Sequence, residues 1–240
     1  MVQKQRVIVY IKTNPKKNEI VYSGIEFAEF IRYLQQPIEN LMIITGGCGC
    51  ISGSTKYERG LELFEGYELV QKLTEKSDHI FGDFCFVDYS SPKNTEKLSE
   101  EQIAELLYLG HVFKSLHSPF FEALQNRFAY LAHDDGWYCK LYCKDLNDFI
   151  PVLCNKITSS IDVAEGITDV IGEELFQLTT KGILFDLDKL CYKEGKISLE
   201  VYLVGEFLNM DTILNNLQKV KEKASKICIL QNDEKGWNIS

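Results

Sequence analysis

The chain of 240 residues sets 26 Lys and Arg against 35 Asp and Glu, a formal net charge of −9, with 45% apolar and 12% aromatic residues but only 16 Gly and 5 Pro. This balance excludes collagen-like, coiled-coil and disordered chains, because enough apolar surface is present to offset the entropy of ordering. It also opposes nonspecific attachment to nucleic-acid phosphates or anionic lipid, and makes a basic protein the expected partner.

No apolar stretch approaches the roughly 20 residues a membrane-spanning helix needs. The opening Met1–Ile11, with five apolar residues before Lys12, reads as a strand rather than a secretory signal. The eight cysteines lie mostly inside apolar runs of a long chain, so they are expected as reduced thiols in a cytoplasmic protein.

In chain order, Val7–Ile11 and Leu41–Thr45 are short continuous apolar runs, the pattern of strands covered on both faces. Between them Phe27, Phe30, Ile31 and Leu34 follow Ser23-Gly-Ile-Glu26 at helical spacing, a capping box opening a helix that Pro37 stops. A short strand is read at Ile20–Tyr22 in the intervening stretch. Leu61–Lys76 reads as a helix and Ile80–Tyr89 as a strand rich in aromatic residues. The polar segment Ser90–Lys97, with Pro92 and Asn94, is the best candidate for a boundary, dividing 1–97 from 98–240 within one globular unit. Ser99 with Gln102 forms a second capping box, and a helix is predicted from about 100 to 116.

From Arg127 to Lys144 the period becomes two, broken at Asp134-Asp135-Gly136. Trp137, Cys139, Leu141 and Cys143 should share the buried face of a hairpin, and Tyr138, Lys140, Tyr142 and Lys144 the open one. A helix should start near Asp148, with Ile150, Leu153, Ile157 and Ile161 as its stripe. Two further hairpins, at Gly182–Val204 and Ile227–Ile239, flank a helix at Met210–Ala224. The fold class is therefore α+β: a mixed or mainly antiparallel sheet with hairpins, packed by about five helices. In the first 90 residues the strand–helix–strand alternation leaves parallel pairing open.

Chemistry is concentrated in Thr45–Lys56. Gly46, Gly47, Gly49 and Gly53 follow an apolar strand and could turn backbone N–H groups toward a phosphate, although neither the P-loop nor the dinucleotide spacing is met. Cys48 and Cys50 in the same stretch are candidate reactive thiols. His133 and Asp134 have the residue types for acid–base work, and Asp-Asp-Gly is equally the chemistry of a hairpin turn. Cys139 and Cys143 cannot share a metal from one strand, where four residues span about 13 Å. No metal site or cofactor is expected.

Two readings follow. The leading one is a non-enzymatic binding, accessory, regulatory or immunity-type protein that holds a basic partner with acidic surface and aromatic anchors, the candidate face being Tyr138, Lys140, Tyr142 and Lys144. The alternative is a thiol-dependent or phosphate-binding enzyme or sensor using the loop 46–53.

Overall fold

A computed structural model describes residues 8–44, 56–58, 60–77, 84–133, 138–159, 173–193, 196–206, 216–233 and 236–239. The strands are β1 (Ile8–Asn14), β2 (Glu19–Ser23), β3 (Asn40–Ile44), β4 (Lys56–Glu58), β5 (Leu61–Glu65) and β6 (Phe84–Asp88) in the first part of the chain. They continue with β7 (Phe128–His133), β8 (Tyr138–Cys143), β9 (Ile183–Lys193), β10 (Lys196–Leu203), β11 (Ser225–Asp233) and β12 (Gly236–Ile239). Helices are α1 (Phe27–Tyr33), α2 (Tyr67–Ser77), α3 (Pro92–Thr95), α4 (Glu100–Val112), α5 (Phe149–Ser159), α6 (Glu173–Leu178) and α7 (Leu217–Lys223).

All twelve strands join one sheet in the order β12-β11-β10-β9-β1-β2-β8-β7-β6-β3-β5-β4. Every neighbouring pair is antiparallel, including β3 with β5 and β6 in the first 90 residues. The architecture is α+β, and the parallel option for that region is corrected. Continuous apolar strands arise here because helices cover both faces of an antiparallel sheet, which removes the polar alternation that one open face would impose.

On one face, Val9, Ile11, Tyr22, Leu41, Phe86, Tyr130, Leu141, Phe185 and Val201 join a single apolar layer with Phe27 and Phe30 of α1 and Phe149 and Leu153 of α5. The Phe27 ring stacks on Phe86 at 4.2 Å between centroids. The other face carries two layers. Met42, Ile44, Leu63, Val87, Leu131 and Tyr142 pack under Ile103, Leu106 and Leu109 of α4. Ile8, Tyr10, Leu184 and Tyr202 pack with Leu217 of α7.

Several local expectations change. Leu61–Glu65 is a strand paired with Asn40–Ile44, not the start of a helix, and α2 begins only after Gly66, whose φ of 93° turns the chain. The box that opens α1 is formed by Glu26 and Glu29, not by Ser23 and Glu26. Helix α4 stops at Val112 because Phe113 takes a left-handed conformation and its N–H bonds the Leu109 carbonyl at 2.9 Å. The hairpins β9–β10 and β11–β12 form as expected, with their turns at 194–195 and 234–235 outside the described residues. Of the helix expected at Met210–Ala224, only α7 falls within them.

Candidate functional site

Helix α4 forms where the sequence places its caps. The Ser99 side chain accepts from the Gln102 N–H at 3.2 Å, and the Gln102 side chain accepts from the Ser99 N–H at 3.1 Å. Ile103, Leu106, Leu109 and Gly110 are buried against the sheet. Gly110 is required there, since a Cβ at that position would lie 2.5 Å from Cγ2 of Ile44. The close approach fixes the helix on β3 and commits the opposite side to the surface.

That outer side is unusually apolar. The large apolar side chains exposed among the described residues are Tyr67, Leu107, Tyr108, Val112 and Leu116, so four of the five fall in one ten-residue stretch, at 36% to 56% exposure. Ala104 is exposed one turn before Tyr108, and Val112 one turn after it, so the three form a ridge. Glu100, Glu101 and Glu105 lie toward its amino end, and His111 and Lys114 toward the other. Past the cap the chain folds back along the helix, where His117 Nδ1 meets Glu105 Oε1 at 2.7 Å and Leu116 extends the apolar surface.

The face expected on β8 is closed instead. Tyr142 is 5% exposed beneath α4, and burial raises its phenol. Lys140 Nζ donates to the Phe113 carbonyl at 3.3 Å. Tyr138 stacks on His133 at 4.8 Å and 6°, and Phe113 covers the same imidazole at 4.3 Å. Only Lys144 of the four is exposed, where it lines two open grooves of about 580 Å³ and 430 Å³. The alternation along β8 was correct as strand geometry, but it separates two covered faces of the sheet, not a buried face from an open one. His133 is thus a packed ring in this stack. Asp134 lies outside the described residues, as do Gly46, Gly47, Cys48, Gly49, Cys50 and Gly53.

Four of the described thiols sit in the interior, and Cys191 on β9 is half-buried. Cys85, Cys139, Cys143 and Cys154 are buried and form no disulfide. The Cys139 sulfur lies 3.0 Å from the Tyr130 hydroxyl, and burial pushes this thiol up to about 12. Cys143 donates to the Asp145 carbonyl at 2.9 Å and is likewise pushed up to about 12, first by burial and then by Asp148. Such groups are thiols at neutral pH, not nucleophilic thiolates. Asp88 accepts from the Arg127 and Phe128 N–H groups at 2.8 and 2.9 Å and from Arg127 Nε at 3.3 Å, and burial pushes its carboxyl up to about 6. Arg127 also donates to the Gln36 and Pro37 carbonyls, so the pair ties the β6–β7 end of the sheet to the segment after α1. Among the described residues, no group of three or more His, Cys, Asp or Glu side chains is placed to hold a metal ion.

The outer face of α4 escapes a reading by helical stripe alone. The signal was present as surplus: Leu107, Tyr108 and Val112 stand in addition to the Ile103, Leu106 and Leu109 that one buried stripe uses. Among the described residues, no helix is long and apolar enough to cross a membrane. Comparison with protein-family models, with curated proteins and with solved structures gives no match to this chain.

Proposed function

We propose that the chain is a non-enzymatic, cytoplasmic binding protein of accessory, regulatory or immunity type, and that the outer face of α4 is its contact surface. The observation that carries this reading is the concentration of exposed apolar side chains at Leu107, Tyr108, Val112 and Leu116. Contiguous apolar surface on a folded protein marks a place where another surface is received. Tyr108 supplies the aromatic anchor that such contacts favour. The partner is a protein segment with apolar side chains and basic groups, the latter meeting Glu100 and Glu101 within a chain of net charge −9.

A fluorescent amphipathic peptide of Leu and Lys serves as the probe, titrated against the wild type, Tyr108→Glu and Gln35→Glu. Both variants add one negative charge, but only the first does so within the face. Tyr108→Glu is expected to weaken binding about tenfold, the scale of losing one buried anchor, while Gln35→Glu binds as the wild type. Equal affinity for all three proteins overturns the reading.

A further inference from the structure

The charges around the ridge run in one direction. Glu100 and Glu101 lie at the start of the segment, Lys114 past its far end, and Leu107 and Tyr108 near the middle. Such a surface is complementary to itself when turned end for end. A two-fold axis performs that operation, because it sets each residue i opposite j and each j opposite i. We infer that the face of α4 receives a second copy of the same chain, the two helices lying antiparallel across an axis near Tyr108.

In that arrangement Glu101 faces the second copy's Lys114, and the small Ala104 faces its Val112. Each contact occurs twice. Parallel packing would instead oppose glutamate to glutamate, so the charge order selects the antiparallel form. The net charge of −9 repels two copies over distance, but salt at about 0.1 M screens that repulsion beyond about 10 Å, while the reciprocal pairs act at contact. A helix of 13 residues offers a contact about 20 Å long. This is at the small end of specific interfaces, so association is weak and reversible.

The inference rests on α4 being a contact surface and names its occupant. Sedimentation velocity of the full chain from about 10 μM to about 1 mM, the range expected for a small interface, tests it. The wild type should pass from monomer to dimer across this range. Val112→Glu should move the midpoint up by about tenfold. Glu101→Lys and Lys114→Glu should each weaken self-association several-fold, since either change places like charges together at two places. An equimolar mixture of these two variants should associate again, because both contacts are then complementary.

A chain that stays monomeric throughout, an unchanged midpoint for Val112→Glu, or a mixture no better than its components overturns the inference. A monomeric chain that still binds the Leu/Lys peptide through Tyr108 overturns only the self-pairing and leaves the contact-surface reading in place. Loss of both behaviours removes the two together.

Discussion

Asp88 gathers two backbone N–H donors and the Arg127 guanidinium, and its carboxyl is nevertheless pushed up to about 6 because burial outweighs them. A carboxyl raised in the folded state holds its proton there more tightly than in the unfolded chain. Its contribution to stability therefore grows as the pH falls from about 7 toward 4 and is lost as the pH rises through about 6. Asp88→Asn retains an oxygen for the two N–H groups and does not titrate. The gap in melting temperature between wild type and Asp88→Asn should shift in favour of the wild type on going from pH 7 to pH 5, and a gap independent of pH would contradict this assignment. The thiols give a second prediction at this scale. Cys85, Cys139 and Cys143 are buried with raised pKa, so an aromatic disulfide reagent at pH 8 should leave them unlabelled in the native protein and label them on unfolding. Mass mapping reads the sites. Fast labelling at Cys48 or Cys50 would favour the thiol chemistry that the sequence leaves open, and fast labelling at Cys139 or Cys143 would refute their burial.

At the scale of elements, α4 has to be held down on one side to leave the other available. Gly110→Ala places a methyl group 2.5 Å from Ile44 Cγ2, and overpacking of this kind costs about 1–3 kcal/mol. Ile44→Ala removes the obstructing Cγ2 methyl group, so chemical denaturation of the double variant should show a smaller loss than the sum of the two singles. Strict additivity would mean that the helix has shifted away from β3. Ser99→Ala, which deletes the cap acceptor, should cost about 1 kcal/mol. The legibility of these elements in the sequence depended on how local their causes are. The box at Ser99 and Gln102 and the period-two run at β8 are written in adjacent residues and were readable. The strand identity of Leu61–Glu65 depends on pairing with Asn40–Ile44, and an apolar run of that length fits a strand or a helix equally until its partner is known. The open face followed the same logic: Tyr138–Lys144 alternates as expected, but whether Tyr142 meets solvent is decided by α4, packed from another part of the chain.

At the scale of the whole molecule, the sheet consists of two blocks contiguous in sequence. Strands β1 to β8 form one and β9 to β12 the other, and their seam is the pairing of Ile8–Ile11 with Ile183–Asp186. Nothing in either strand alone announces the other, which is why the hairpins were legible and the seam was not. A chain ending at Ser159 would leave the β1 edge open while keeping β2 on its other side, with Val9 and Ile11 deprived of Phe185 and Leu187. An exposed apolar edge strand templates further pairing. This shortened chain should elute as aggregate on size exclusion with light scattering, and a stable monomer would show that the seam is dispensable. The seam also bears on biosynthesis. β9 leaves the ribosome roughly 170 residues after β1, which at about 5–20 residues per second is a wait of roughly 10–35 s. Throughout that interval the nascent polypeptide carries a half-finished β-ladder, which makes it a natural client for holdase chaperones and places its greatest hazard before synthesis is complete.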